Sequence, residues 1–448
     1  MANMSVESLS GQVSDQSEHP YADSIHMSLR QQPSSKVAAS AISRIASTIS
    51  DKATVRRKHI PIVGAIIGDL LRGLAITPSN ACYRALSAGS FSGFHYSYRR
   101  FVSVRKGLEA AKYLRIVRGR QAFDGIPGAV SRFHATPKLI SELRAAGITP
   151  SNFQQHFSTR TDIALVHKPI RRKTASSRPE GWKVEGKAMS VPNTPKVAKL
   201  AQEVHQINGF LRQQTFEGMA FDGLFRGFNQ GDYPDFDWNK GGRLYAVGDG
   251  YQGLDKVEKR PLIRFNGHET VEVDIRASHL TIFHALMGAP LPGNGDPYDT
   301  GEIGRDGIKL FCAITLGAGK LPSRWSSTAG KDYRKAYDKQ IARGKQPAPG
   351  TTGRLAQDYP FKTVRDIALR HIPLLKSVEG SGHTWADFQF LESQVLIQAM
   401  KSLIEEGVTT LPLHDSLICP RIYSENVSEC LVRCFEDIVG VKCYIKIK

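Results

Sequence analysis

The sequence predicts an α+β protein with a mostly helical N-terminal half and a C-terminal half that mixes strands with helices. Residues 271–275 alternate apolar and acidic side chains, as a half-buried strand does, and helical spacing follows over 278–287. Residues 411–413 and 417–419 form two short apolar runs around His414-Asp415-Ser416, which predicts a β-hairpin with an acidic tip. Helical periodicity dominates from residue 59 to 153.

Charge narrows the class of partner. The chain has 448 residues, enough for two or three domains, and its 41% hydrophobic content is ordinary. Its net charge of +18 favours a polyanionic partner, nucleic acid first and an anionic membrane surface second. A solubilising surface charge is the simpler alternative.

Three further observations bear on location. The longest apolar run, residues 60–71, contains Asp69 and is too short to cross a bilayer. The N-terminus lacks a basic region followed by an apolar stretch, so no secretory signal is expected. The six cysteines have no paired metal spacing, and Cys430 and Cys434 share one helix face. We therefore expect buried free thiols in a reducing compartment, and a cytoplasmic protein without a membrane partner.

The first two segments are predicted from composition and spacing. Residues 1–55 are rich in Ser, Gln and Asp, which predicts a mobile tail. Residues 56–160 predict a separate domain. Its helices are expected at 60–71, after an N-cap at Ser79, and at 98–113, followed by strands near 113–118 and 130–135.

Three helices followed by a β-hairpin resemble, in pattern, the winged-helix DNA-binding domains of plasmid replication initiators. The third helix carries several cations that would suit a groove or a phosphate backbone. They are Arg99, Arg100, Arg105 and Lys106. A helical bundle with a solvated basic face is an equally good interpretation of the same pattern.

Residues 161–224 predict a connecting region. Seven cations within 168–187 indicate an exposed basic linker, and helical spacing over 196–214 indicates a thumb-like helix or a simple packing helix. Residues 225–448 form the last predicted domain.

The chemistry of that last domain depends on two aspartates. Asp274 lies where a strand turns into a helix, and Asp415 lies at the tip of the predicted hairpin. Each alone is more simply a helix cap or a turn residue. Together they suit two divalent cations, Mg²⁺ or Mn²⁺, which activate a 3′-hydroxyl and neutralise the leaving pyrophosphate.

A basic helix lies between the two aspartates in the sequence. Arg305, Lys309 and Ala313 are spaced by four residues and share one helix face. Arg305 and Lys309 could both reach a triphosphate, and Lys309 could donate a proton to the departing pyrophosphate. A solvated cationic face is the alternative.

The order of these segments resembles that in family A DNA polymerases and single-subunit, phage-type RNA polymerases. Asp274-Ile-Arg-Ala-Ser-His-Leu is similar to their first motif, and His414-Asp415-Ser416 to their third. Arg305-x3-Lys309 followed by Leu316-Gly317 is similar to their fingers motif. Upstream, Gly242-Arg243-Leu-Tyr245 resembles the Gly-Arg segment of the RNA polymerases. The resemblance covers about residues 225–448.

The resemblance implies a right-hand polymerase palm, built on an antiparallel sheet, with helical fingers. It makes Asp274 and Asp415 the ligands of two Mg²⁺ ions, Lys309 the general acid and Arg305 the triphosphate clamp. His279 would lie at the nucleotide. It further implies contacts to the template–product hybrid from Arg243 and Tyr245, and to the primer end from His414. The implied partners are a DNA template, a nucleic-acid primer or product, and nucleoside triphosphates, bound by a monomer of bacterial, phage or plasmid origin.

The chain departs from the family pattern at informative positions. Leu316-Gly317 replaces the usual Tyr-Gly of the fingers, and His279 replaces the Glu of the DNA polymerases. Ser416 is the form found in the RNA polymerases. These changes favour RNA or primer synthesis.

Three alternatives stay open: a family A-like DNA polymerase, a non-catalytic DNA-binding replication or regulatory protein with a decayed core, and a metal-dependent nuclease. The nuclease would need further acidic ligands, for which Glu272 and Glu392 are the nearest candidates.

Overall fold

The computed structural model describes residues 24–50, 52–77, 79–91, 94–119, 130–160, 168–177, 184–219, 221–248, 250–292, 295–348 and 350–448. The chain folds into a mixed α/β protein with mainly antiparallel sheets and many helices, as the sequence predicts. It divides into two compact units. Unit 1 comprises Met1–Ser87 with Tyr98–Arg160, and unit 2 comprises Ala88–Ser97 with Thr161–Lys448.

Unit 1 contains a four-stranded sheet in the order β1-β3-β5-β4, a separate β2–β6 pair and five helices among its described residues. The strands are β1 (Ser24–His26), β2 (Gln31–Pro33), β3 (Ala81–Tyr83), β4 (Leu114–Val117), β5 (Arg132–Ala135) and β6 (Phe157–Thr159). The helices are α1 (Lys36–Ile49), α2 (Ala53–Ile76), α3 (Tyr98–Ala110), α4 (Pro137–Ala145) and α5 (Phe153–His156).

The helix α2 is the core of unit 1. It is twice as long as the predicted 60–71 segment, and in the described part of the chain it alone has the length and apolar composition to cross a membrane. Burial explains that composition, because 67% of its most apolar window is buried inside the unit. It packs against α1, β2, β3 and β5.

The prediction of a mobile tail over residues 1–55 is wrong from residue 24 onward, because β1, β2, α1 and the start of α2 lie there. Residues 1–23 lie outside the described residues. α1 is amphipathic, with Ala41, Ile42 and Ile45 fully buried. The Ser35 hydroxyl caps it by accepting the N–H of Ala38 at 3.1 Å. Composition concealed this apolar stripe because Ser and Thr occupy much of the exposed face.

The helix predicted after Ser79 is also wrong. The chain forms β3 there, between β1 and β5, and Asn80 enters it with a left-handed φ of 53°. Strand pairing outweighs local helix propensity at this point. The predicted hairpin strands are confirmed, since β4 and β5 pair antiparallel; the segment 120–129 between them lies outside the described residues. The winged-helix assignment stays a prediction.

The described residues of unit 2 form two sheets. One has the order β11-β10-β7-β8, and the other has the order β14-β15-β13-β12-β9 with β16 paired to β13. The strands are β7 (Ile170–Lys173), β8 (Ala188–Met189), β9 (Phe216–Glu217), β10 (Leu224–Phe228), β11 (Gly241–Ala246), β12 (Arg264–Phe265), β13 (His268–Ile275), β14 (Leu411–Leu413), β15 (Ser416–Pro420) and β16 (Ile445–Ile447).

The helices of unit 2 pack on these sheets around one large apolar core. They are α6 (Pro195–Leu211), α7 (Ser278–Leu286), α8 (Arg305–Ala318), α9 (Ser327–Ala342), α10 (Leu355–Asp358), α11 (Phe361–His371), α12 (Trp385–Glu405) and α13 (Ser424–Val439). All six cysteines of the chain are buried and unbridged, which confirms the prediction of free buried thiols.

The predicted basic linker is more ordered than its composition indicates. Within residues 168–187, β7 pairs in parallel with β10 and antiparallel with β8. The helix predicted over 196–214 exists as α6. Its Asn208 amide bonds both the N–H and the C=O of Leu224, each at 2.8 Å, which fastens α6 to β10.

Asp69 is an ionisable group inside the apolar helix α2. Its carboxylate accepts the N–H of Leu29 at 2.6 Å and the hydroxyl of Ser28 at 3.2 Å, so it holds the β1–β2 connection on the helix. Burial raises the pKa of Asp69 to about 6, against the opposing charge of Arg72.

This burial predicts a pH-dependent stability. Between the ordinary carboxyl value near 3.8 and about 6, the folded chain keeps a proton that the unfolded chain has released. The free energy of unfolding therefore falls as pH rises through this window, by up to about 3 kcal/mol. Asp69→Asn should remove that part of the slope. Urea unfolding of both full chains at several pH values from 4 to 7 measures it, and parallel profiles would contradict it.

Candidate functional site

The strand β13 brings the two predicted acidic residues together. It pairs antiparallel with β15, with Asp274 opposite Ser416, and the N–H of Ile275 donates to the C=O of Asp415 at 3.1 Å. Val271, Val273 and Ile275 face the core, so Asp274 projects from the opposite face of β13. Asp415 follows His414 in the predicted hairpin, which the pairing of β14 with β15 confirms.

Both turns at the site use left-handed backbone. Ala277, between β13 and α7, has a φ of 51°, and His414 at the hairpin tip has a φ of 57°. The first lets α7 begin four residues after Asp274, and the second closes the hairpin directly before Asp415. These turns, together with the strand register, fix where the carboxylates lie.

The carboxylates have different surroundings. Burial raises the pKa of Asp415 to about 6, and the negative charges of Glu392 and Asp274 add to the rise. Asp274 instead has a cationic partner, since the Lys448 ammonium lies 2.6 Å from its Oδ2. Lys448 was not anticipated from the sequence.

Two neighbouring carboxylates suit hard divalent cations, which prefer oxygen ligands. Negative charge gathers here, because Asp415 lies within electrostatic range of both Asp274 and Glu392. Among the described residues, no group of three or more His, Cys, Asp or Glu side chains forms a metal cluster. The sequence predicts Asp274 and Asp415 as ligands of an ion, and its remaining ligands would come from solvent or substrate.

Glu392 on α12 is a buried anchor beside the acidic pair. Its Oε1 accepts a hydrogen bond from Arg243 Nε at 2.7 Å and lies 2.5 Å from Arg243 Nη2. Its Oε2 accepts a hydrogen bond from the Ser278 hydroxyl at 2.9 Å. Burial raises the pKa of Glu392, and Arg243 opposes that rise. The anchor thereby ties α12 to β11 and to the start of α7.

His279 lies beside the same anchor. Its Nε2 is 3.5 Å from Glu392 Oε2 and 3.4 Å from Arg243 Nη2. Burial, together with the charge of Arg243, lowers the pKa of His279 to about 4, so the ring is neutral near pH 7.

The acids that a nuclease would need are already engaged. Glu392 is bound by Arg243 and Ser278, and Glu272 pairs with Arg260 at 2.6 Å. The nuclease alternative named Glu272 and Glu392 as its nearest candidate ligands, and in the structure both carboxylates are paired with arginines of the chain. The sequence does carry a signal for a buried anchor, because Glu392 is a single carboxylate within the apolar stretch of α12.

One face of the β11-β10-β7 sheet carries aromatic and cationic side chains. Phe225 and Tyr245 are cross-strand partners with ring centroids 5.6 Å apart. The Arg171 guanidinium lies 3.3 Å from the Phe225 centroid. Register places Arg243 on the same face, opposite Gly227. The aromatic face, defined by Arg171, Phe225, Arg243 and Tyr245, thus joins two predicted contact residues to two others.

The basic helix α8 matches its predicted pattern. Lys309 and Ala313 are exposed like Arg305, whereas Ile308, Phe311 and Cys312 are buried. Lys309 makes no ion pair within the described part of the chain. Leu316 packs into the core.

Arg305 is held rather than free. Its Nε donates to Asp296 Oδ2 at 2.5 Å, and its guanidinium lies 5.4 Å from the Tyr298 ring centroid. Burial raises the pKa of Tyr298; the charge of Asp415 adds to this rise and that of Arg305 opposes it. Tyr298 therefore lies within electrostatic range of both the basic helix and the acidic pair.

In unit 1, the cations predicted on the third helix divide into two kinds. Arg99, Arg100 and Lys106 are exposed on α3. Arg105 is buried, with 4% of its surface exposed, and pairs with Glu109 at 2.6 Å. The prediction that Arg105 contacts nucleic acid is wrong, because its guanidinium already neutralises a carboxylate inside the unit.

The anchor predicts a stability effect at Glu392. Glu392→Gln keeps the shape but leaves Arg243 without its buried counter-charge, so we expect a loss of about 3 kcal/mol in the free energy of unfolding. Glu405→Gln, an exposed change on the same helix, should cost less than about 0.5 kcal/mol. Denaturant unfolding compares the two, and equal losses would contradict the anchor.

Comparisons with known proteins add little detail. No protein-family model matches the chain, and no curated protein matches its sequence. Among solved structures, the chain is similar to the POL domain of Pol1 from M. smegmatis in complex with DNA primer-template and dNTP, with 14% sequence identity and a TM-score of 0.25. The match covers 56% of this chain and 51% of that one, so the chain spans about half of that chain's length. At these values the likeness carries no argument about function.

Proposed function

We propose that the chain is a template-dependent nucleotidyltransferase whose palm and fingers are built by unit 2. The observation that carries the proposal is the placement of Asp274 and Asp415 on paired neighbouring chain segments. The electrostatic effect of Asp274 on Asp415 supports it, because neighbouring carboxylates are a natural site for multivalent cations.

Asp274 and Asp415 would hold two Mg²⁺ ions, which supply activation of a 3′-hydroxyl and charge neutralisation at the phosphates. The residues of the chain position the reactants. Lys309, exposed on α8, would bind the triphosphate and donate a proton to the departing pyrophosphate. Arg305 would clamp the triphosphate after exchanging its bond to Asp296 for a phosphate oxygen.

Nucleic acid would lie along the aromatic face. Planar rings stack on bases without regard to sequence, and arginines contact phosphates. Phe225 and Tyr245 supply the rings, and Arg171 supplies charge. Arg243 is held by Glu392, so its contact would be made by the edge of the guanidinium that Glu392 leaves open. His414, exposed at the hairpin tip, would meet the primer end.

We further propose that the product is RNA or a primer. Leu316 presents no aromatic ring, and the neutral His279 presents no carboxylate to exclude a 2′-hydroxyl. A family A-like DNA polymerase is the second candidate. In the RNA-polymerase-like form, unit 1 recruits DNA through a winged-helix-like domain, and a monomer works in the cytoplasm of a bacterial host during phage or plasmid transcription or replication.

A direct assay tests the reaction. Purified chain, Mg²⁺ and a primed or unprimed DNA template are incubated with labelled NTPs or dNTPs. We expect incorporation that Asp274→Asn and Asp415→Asn each lower by about a hundredfold or more, because each removes a charge that the transition state needs. Asp366→Asn, an exposed acid on α11, is the control. Wild-type chain that extends nothing on any template would favour the non-catalytic alternative.

The general acid has a matched test. Lys309→Ala should lower kcat by about a hundredfold while template binding is unchanged, because proton donation to the leaving group is lost. Lys335→Ala, an exposed lysine on α9, should leave kcat unchanged. Single-turnover incorporation over a range of pH measures both. If the kcat of Lys309→Ala is within about threefold of the wild-type kcat, Lys309 is not the general acid.

Recruitment of DNA by unit 1 predicts a salt effect. Arg99→Ala, Arg100→Ala and Lys106→Ala combined should lower the slope of log K against log salt by about 2 to 3. A triple alanine variant of exposed Lys36, Arg44 and Lys52 in the same unit should leave the slope unchanged. The slopes are obtained by measuring the binding constant for duplex DNA at salt concentrations from roughly 50 to 200 mM. Equal losses in both variants would indicate only a diffuse charge effect.

A further inference from the structure

The C-terminal end of β16 brings Lys448 into contact with Asp274, a predicted metal ligand. β16 pairs antiparallel with β13 through Val273, Asp274 and Ile275. Beyond it, the N–H of Lys448 donates to the C=O of Glu272 at 2.9 Å, and the N–H of Glu272 donates to the C=O of Lys448 at 3.2 Å. These two backbone bonds set Lys448 opposite Glu272, two residues from Asp274 along β13 and on the same face of the strand.

The side chain completes the contact. Lys448 Nζ is 2.6 Å from Asp274 Oδ2, with 27% of the lysine and 17% of the aspartate side chain exposed. No ion pair is found for Asp415 among the described residues. One member of the acidic pair therefore carries a cation supplied by the chain itself, and the other does not.

We propose that the Lys448 ammonium is the resident counter-ion of Asp274 and is displaced when a divalent cation binds there. The inference rests on the proposed function, which makes Asp274 a metal ligand. A divalent ion approaches a carboxylate oxygen to about 2.0–2.1 Å, and a second cation at hydrogen-bond distance from the same oxygen is repelled by it.

Lys448 is on this account a positioning residue. It holds the Asp274 carboxylate in place against repulsion from Asp415 while no ion is bound, and it lowers the apparent affinity for the ion that replaces it. The backbone bonds to Glu272 keep the lysine stem in place after displacement, so the ammonium swings locally and can return.

The test measures metal binding without nucleotide. Free Mn²⁺ is followed by electron paramagnetic resonance as it is added to full-length wild type, Lys448→Met and Lys442→Met. Lys448→Met removes the charge and keeps most of the apolar stem, so its affinity for Mn²⁺ should rise about two- to fivefold, the range of a partly exposed ion pair. Exposed Lys442 loses the same charge away from Asp274 and should bind like wild type.

Further variants separate the possible failures. In an Asp274→Asn background the effect of Lys448→Met should vanish, because the competition has no target. Lys448→Arg keeps the charge and should bind Mn²⁺ no more tightly than wild type. Wild-type or weaker affinity in folded Lys448→Met overturns the counter-ion. Unchanged Mn²⁺ binding in both Asp274→Asn and Asp415→Asn would instead overturn the proposed metal site itself. Thermal unfolding verifies that each variant is folded. If Lys448→Met does not fold, the test rests on Lys448→Arg, and an affinity of that variant for Mn²⁺ above the wild-type affinity overturns the inference.

Discussion

The antiparallel register of β13 with β15 is the constraint on which the candidate site depends. It sets Asp274 opposite Ser416 and therefore next to Asp415. A slip of one residue would turn Asp274 into the core and expose Val273, because successive strand residues point to opposite faces. Burial of Val271, Val273 and Ile275 makes such a slip costly, so the apolar core of unit 2 determines where the acidic pair lies.

Buried charge organises the second layer of the site. Glu392 gathers Arg243, Ser278 and His279 from β11 and α7 onto α12. A buried carboxylate is tolerated only when its lone pairs are used, and here both oxygens accept bonds. The same arrangement keeps His279 neutral and limits the freedom of Arg243. On both sides of the acidic pair, then, cations belonging to the chain shape the surroundings before any ligand arrives.

Sequence reasoning succeeded where a short period determines the structure. Alternation at 271–275, the hairpin around Asp415 and the exposed face of Arg305 and Lys309 follow from strand and helix geometry. It failed where distant segments decide. Arg243 and Glu392 are 149 residues apart, and Lys448 meets Asp274 only because β16 returns to β13. Arg105 is a cation on the same helix as the exposed Arg99, Arg100 and Lys106, and only the packing of the unit shows that it is buried.

The left-handed turns carry a consequence for how this site tolerates variation. Ala277 and His414 each hold a conformation that costs an L-residue about 1–2 kcal/mol. Ala277 lies directly before α7, and His414 lies directly before Asp415. Glycine at either position would relieve that cost and make the native turn easier to form. It would also let the turn sample other directions. Replacing Ala277 or His414 by glycine would therefore exchange the fixed direction of the turn for relief of backbone strain.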